Sequence, residues 1–320
     1  MKPKALFVML ILWLSFTTIQ ARSTEDVPDK GTYAKFLLVG CYMKPDEEGV
    51  RMYRFDGQTA DVDYPCGLRG ISNPAFLTSD STGNRIYAIG DDEGKSSTAN
   101  ALLFDKESGL LSLLNSQSTD GELPIYITLS PKEYFVLTAN YKGGSITVFS
   151  QDKKGKLQRD TKIIRFAGNG PNKKRQEQSH LHCVTFTPDG KFLLATDLGT
   201  DCIYLFPIGK RPEAGKAHSL LDESRVVRIQ MDSGSGPRHI CFHPNGRFAY
   251  LISELSGKIT VFSYNEGKLE RLQTIVCDPF VAEGNADIHV SSDGKFLYAS
   301  KHLKEDGIIV YSIDSQKGTL

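Results

Sequence analysis

The chain has 320 residues and no formal net charge, with 38 lysines and arginines against 38 aspartates and glutamates. That balance, together with the lack of any long basic block, excludes a nucleic-acid surface held by phosphate contacts. With 40% hydrophobic and 10% aromatic residues the composition is that of a folded globular protein, sized for one large domain or two ordinary ones.

The first element in chain order is a targeting segment. Lys2 and Lys4 precede an apolar run from Ala5 to Phe16, and small or polar residues follow to Ala21. A run of about 12 residues is too short to cross a bilayer of roughly 30 Å as a helix. An export signal over residues 1–22 is expected, with the mature domain over 23–320 in a periplasmic or secreted location; an uncleaved anchor is the alternative. No later segment is apolar enough to span a membrane. Six cysteines (41, 66, 183, 202, 241 and 277) are too sparse for a disulfide-dependent fold. Cys183, Cys202 and Cys241 fall inside strand patterns, and a Cys41–Cys66 bridge stays open. No spacing of Cys and His argues for zinc, and neither a metal nor another cofactor is expected.

From residue 35 onward the chain repeats itself. The segments 180–206, 238–262 and 287–313 are copies of one pattern, with fainter copies at 126–150 and 75–104, and 35–56 fits the second half of a unit. Gly190, Gly246 and Gly294 mark the turn, 56 and 48 residues apart; the corresponding positions Gly83 and Glu133 are 50 apart. Each unit reads strand, [ST]PDG-like turn, strand, loop, strand, and then a G-x-L turn into a fourth strand. Asp-Gly and Asn-Gly supply the positive φ a tight hairpin needs, and Val, Ile, Tyr and Phe fill the strands without helical periodicity. Four antiparallel strands per unit of about 50 residues specify an all-β fold, a β-propeller of four-stranded blades. Six units are present, and the last breaks off at Lys317-Gly318-Thr319-Leu320, where other units continue into a fourth strand.

The same turn places the polar residues. Eight residues before Gly190, Gly246 and Gly294 stand His182, Arg238 and Ala286; eight after the five turn positions stand Asp91, Tyr141, Leu198, Glu254 and His302. Seven after stand Asn140, Asp197, Ser253 and Lys301. One hairpin brings the start of its first strand beside the end of its second, so these positions share one rim, and successive blades bring them together around the axis. Arg238 is therefore expected opposite Glu254, with His182 one blade earlier. Blander roles stand beside this: a cross-strand ion pair for Arg238 and Glu254, a hydrogen-bonded core histidine for His182. His239 and His289 read as packed between blades, His243 as a surface or turn residue, and Asp189 and Asp293 as turn residues. His180 shares a face with His182 but lies further out. The triplet Lys173-Lys174-Arg175, in a glycine- and asparagine-rich loop, reads as solvated charge.

The stretches SHLHCVTFTPDGKFLLATDLG (179–199), GPRHICFHPNGRFAYLISELSGKITVFSY (236–264) and NADIHVSSDGKFLYAS (285–300), with NPAF (73–76) and TANYKGGSITVF (138–149), resemble the lactonase family. That family comprises β-propeller 6-phosphogluconolactonases and related cyclic-ester enzymes, and the resemblance runs from about Lys35 to the end. It implies seven blades, which favours a seventh blade absent from this sequence over the alternative of six blades that close imperfectly. Through relatives that make or open muconate lactones it also implies a catalytic histidine, arginine and glutamate, which fall on His182, Arg238 and Glu254. Ser300-Lys301-His302 stands where the family has Ser-Asn-Arg, so the second anion-binding arginine is lacking there. Export would separate the chain from cytosolic 6-phosphogluconolactone.

Lactone opening needs an activated water and donors for the developing oxyanion. A neutral His suits the first and Arg the second. Glu254 either orients them or acts as base should burial raise its pKa. With no GxSxG elbow, a covalent acyl-enzyme is not expected. The expected ligand is a small-molecule lactone or sugar acid, bound by His182, Arg238 and Glu254 with Asn140, Tyr141, Asp197, Lys301 and His302, in a monomer. A non-catalytic propeller binding a carbohydrate, peptide or surface partner, and a lactonising enzyme, are the alternatives.

Overall fold

The computed structural model describes Val8–Met9 and residues 34–210, 212–277, 284–302 and 306–320. The segment expected as an export signal lies outside the described residues except Val8–Met9, a two-residue strand on the inner edge of the first sheet, paired with Cys41 and Gly40.

Among the described residues six antiparallel sheets succeed one another in chain order. Blade one holds Ala34–Cys41, Val50–Asp56 and Val62–Leu68; blade two runs from Leu77–Ser79 to Leu110–Ser118, and blade three from Pro124–Leu129 to Leu157–Arg165. Blade four spans Leu181–Phe186 to Val227–Gln230, blade five Pro237–Phe242 to Lys268–Val276, and blade six Asn285–Val290, Phe296–Lys301 and Gly307–Ser312. The only helices among the described residues are two single 3₁₀ turns, Ala217–Ser219 and Glu223–Arg225, and no helix is long and apolar enough to cross a membrane.

The turns behave as their sequences require. Gly83, Gly190, Gly246 and Gly294 have φ of +66 to +74°, the left-handed region only glycine enters without strain, and Glu133 accepts φ +56° at the same position. The middle strands alternate apolar residues onto both faces, because sheets pack on either side. Phe135–Asn140 and Phe248–Ser253 are buried throughout. Between neighbouring blades these faces form separate apolar clusters, such as Val50, Met52, Ile86 and Leu102 between blades one and two.

No disulfide joins any of the six cysteines in the structure. The Cys41–Cys66 bridge fails on register: Leu38, Met52 and Cys66 are consecutive cross-strand partners on one face, and Cys41, three residues from Leu38, points to the other.

Candidate active site

The inner strands of blades three to six each carry a bulge at their first residues. Leu181 pairs with Asp197 but Cys183 with Thr196, leaving His182 unpaired; Pro237 pairs with Ser253 but His239 with Ile252, leaving Arg238. Blade three skips Ile125 and blade six Ala286 and Asp287 in the same way. A bulge frees a side chain from strict alternation and re-aims it. Two layers result. One contains His182 and Arg238. Just beneath lie the residues seven before each turn, Phe76, Tyr126, Cys183, His239 and Asp287. Their contacts prove convergence on the axis: ring centroids are 4.0 Å apart for Phe76–Tyr126 and 5.2 Å for Tyr126–His239, and His239 Nδ1 is 2.7 Å from Asp287 Oδ1.

Arg238 and Glu254 meet as the turn spacing requires, with Arg238 Nε donating to Glu254 Oε2 at 3.0 Å. Arg238 Nη1 donates to the Ala286 carbonyl at 2.5 Å and faces His239 Nε2 at 3.3 Å. His182 Nε2 lies 3.8 Å from Glu254 Oε2, and its ring is 5.0 Å from that of His239. His182 Nδ1 is buried with no hydrogen-bond partner among the described residues. Burial, reinforced by the Arg238 charge and by His239, drives the His182 pKa well below the ordinary value, so the imidazole is neutral. Burial alone would raise Glu254, but Arg238 and Arg175 outweigh it and hold the carboxyl below the usual range. Glu254 is therefore an ionised anchor for the two arginines.

Arg175 corrects the sequence expectation. Its Nη2 donates to Glu254 Oε1 at 2.5 Å and approaches the Tyr141 hydroxyl at 3.5 Å. The loop that delivers it is pinned by the fully buried Gln176, whose amide donates to the Leu198 carbonyl and to Asp201 Oδ1, both at 2.8 Å, and accepts from Asn172 N. A second arginine thus reaches the site, from a loop and not from blade six. Lys173 and Lys174 of the same triplet are exposed.

Of the expected binding residues, Tyr141 lies at the site, its ring stacked 4.3 Å from His180 and edge-on at 5.6 Å to His182. His180 is buried, bonded to the Tyr141 carbonyl and Glu177. His302 joins from blade six: burial and the Arg238 charge lower its pKa, while Glu254 raises it. Lys301 is buried at the inner end of its strand, opposite Asn285. Asn140 and Asp197 are corrections. Both are wholly buried, Asn140 donating to Ser145 Oγ and Thr147 Oγ1, Asp197 accepting from Ser179 Oγ, His180 N, Gly199 N and Thr200 Oγ1. They shape the rim loops and present nothing to a ligand.

His239 is not wedged between blades but sits on the axis. His289 is half-exposed, with Nε2 2.9 Å from Asp287 Oδ2. His243 is a turn residue but buried, its Nε2 bonded to the Gly294 carbonyl. Asp189 and Asp293 stay in the turns, where they accept from Lys191 N and Lys295 N.

Five four-stranded sheets and one three-stranded sheet among the described residues, with a histidine, two arginines and a glutamate gathered at one end, define a β-propeller with a candidate site on its axis. The lactonase, seven-bladed β-propeller family pattern matches residues 36–320, and the chain belongs to that family. Among the described residues six sheets stand against the family's seven. A 6-phosphogluconolactonase of Bacillus subtilis is 33% identical over 290 residues, covering 88% of this chain and 78% of its own. One from Formosa agariphila is 31% identical, covering 89% and 80%. Among solved structures, a Bacteroides fragilis protein superposes with TM-score 0.85 at 39% identity, covering 92% and 82%. The periplasmic gluconolactonase of Pseudomonas aeruginosa superposes with TM-score 0.79 at 29% identity, covering 89% and 80%.

Proposed function

We propose that this protein hydrolyses a sugar-derived or other acidic lactone, outside the cytoplasm. The observation that carries the reading is the neutral, buried His182, with an unpartnered Nδ1, beside Arg238 and Arg175. The names of the relatives and of the Pseudomonas aeruginosa neighbour support it. The apolar run 5–16 behind Lys2 and Lys4 supports export.

In this reading His182 takes a proton from water as the water oxygen bonds to the lactone carbonyl carbon. The carbonyl oxygen becomes an oxyanion, met by Arg238 Nη2, which has no protein acceptor among the described residues. Collapse breaks the ring C–O bond, and the leaving oxygen takes the proton back from His182 to give a hydroxy acid. Arg175, half-buried at the mouth, trades Glu254 for the substrate's acidic group. Glu254 keeps Arg238 in place.

The test is a pH-stat assay of purified protein against glucono-δ-lactone and 6-phosphoglucono-δ-lactone. Turnover above buffer that falls about 10²- to 10³-fold in Arg238→Ala, and comparably in His182→Ala, is expected. No opening of any lactone would leave a binding module as the better account. Amino-terminal sequencing of the exported chain checks cleavage after residue 22.

A further inference from the structure

We propose that Asp287 and His239 are positioning residues for Arg238: the Asp287 carboxylate keeps a proton on His239 Nδ1, which leaves His239 Nε2 to accept from Arg238 Nη1 and leaves Arg238 Nη2 for the reacting oxygen. The donor and acceptor inventory admits one arrangement. A carboxylate only accepts, so at 2.7 Å from Asp287 Oδ1 the proton is on His239 Nδ1. A guanidinium only donates, so His239 Nε2, 3.3 Å from Arg238 Nη1, carries the lone pair. The imidazole is therefore neutral. Burial, and Arg238 beside it, agree with that and lower its pKa to about 4.

Asp287 is fixed in turn. Its Oδ1 also accepts from Ile288 N at 2.9 Å, its Oδ2 faces His289 Nε2 at 2.9 Å, and its own N–H donates to Ser300 Oγ at 2.9 Å. The imidazole is held edge-on by Tyr126 at 5.2 Å and Phe76 at 6.0 Å, so the ring has no room to turn over. Three acceptors consequently surround the guanidinium: Glu254 at Nε, with the Ala286 carbonyl and His239 at Nη1. A tautomer flip at His239 would set an N–H against an N–H and rotate the donor away from the oxyanion. This inference relies on the hydrolytic reading for its kinetic readout only.

The test uses the full chain and two readouts. Long-range proton–nitrogen NMR of wild type at neutral pH should show His239 protonated on Nδ1, and Asp287→Ala, which removes the acceptor, should shift it to a mixture of tautomers. On 6-phosphoglucono-δ-lactone, Asp287→Ala and His239→Phe should lower kcat about 10- to 100-fold with KM little changed, as losses of supporting partners do elsewhere. His239→Gln, which can donate to Asp287 and accept from Arg238, should recover most of kcat. Phe keeps the ring packing and Gln keeps the polarity, so their order separates positioning from filling. Wild type protonated on Nε2, or folded His239→Phe as active as His239→Gln, overturns the proposal. A chain that opens no lactone but carries the proton on Nδ1 defeats the hydrolytic reading and leaves this one standing.

Discussion

Blades five and six start from similar sequences and end in different surroundings. RFAYLIS (247–253) and KFLYASK (295–301) place Tyr250 and Tyr298 four residues past their turn glycines. Tyr250 is 0% exposed and its hydroxyl donates to the Gly318 carbonyl beyond blade six at 3.0 Å. Tyr87, in the same place in blade two, donates to the Gly155 carbonyl of blade three at 3.2 Å. Tyr298 is 40% exposed, and Phe296, Ile308 and Val310, on the same face of the sheet, are exposed with it. Alternation makes each segment a strand, but only the next sheet makes its outer face a core. Blade six obeys the rule on one face, where Leu297 and Ala299 pack on blade five.

The sharpest way to break this comparison is to cut the same side chain from both blades. Tyr250→Ala removes a fully enclosed ring and is expected to cost about 3–5 kcal/mol by the usual scale of large-to-small core changes. Tyr250→Phe, which loses only the hydroxyl bond to Gly318, should cost about 1 kcal/mol. Urea denaturation of each variant reads both values. A Tyr250→Ala cost under about 1 kcal/mol would show that the tyrosine does not seal blade five against blade six and the chain beyond it.

The two histidines around Asp287 sharpen the contrast next, because they titrate in opposite senses. His239, of blade five, has its pKa lowered to about 4 by burial and by Arg238. Between the unfolded value of about 6.5 and pH 4 the unfolded chain binds a proton that the folded chain refuses, so stability falls with falling pH, by about 3 kcal/mol in all. His182 adds to that acid limb with the same sign. At His289, of blade six, burial lowers the pKa but Asp287 more than offsets it, and the net shift is upward. Its stabilising share is present below pH 6.5 and is lost as pH rises through the folded pKa. Melting temperature against pH should lose part of its acid slope in His239→Gln and its decline just above pH 6.5 in His289→Gln; parallel curves for wild type and both variants would refute the assignment.

Smaller effects separate Arg175 from its neighbours. Arg175→Ala should raise KM for an anionic lactone about tenfold, or about 1.4 kcal/mol, and leave a neutral lactone almost untouched. Lys173→Ala and Lys174→Ala, on exposed side chains of the same triplet, should change neither. Equal losses on charged and uncharged lactones would assign Arg175 to Glu254 alone.

These residues also mark how far the sequence was legible. The turn glycines located the strands, and with them the meeting of Arg238 and Glu254, because hairpin register is set by the turn. His239 escaped, since strict alternation sends residues 238 and 239 to opposite faces; the bulge at Arg238 brings both toward the axis, and no residue type announces a bulge. Arg175 escaped because its placement depends on a buried amide, Gln176, bonded to residues 22 and 25 positions away. Asn140 and Asp197 were misjudged for the reverse reason: they hold the correct rim position, but unpaired loop N–H groups and hydroxyls beside them claim their oxygens and amides first.

The weakest expected effect returns to blade six. Tyr298→Ser trims a ring that already meets solvent, where substitutions usually fall within about 0.5 kcal/mol. Val310, its cross-strand partner, and Ile308 remain beside it, so the strand keeps its apolar neighbours and the hairpin its register. Urea midpoint and slope should both match wild type, while the same Tyr→Ser change at position 250 should unfold the chain at markedly lower urea. If Tyr298→Ser instead costs as much as its counterpart in blade five, another surface covers this face in solution, and the difference between the two blades disappears.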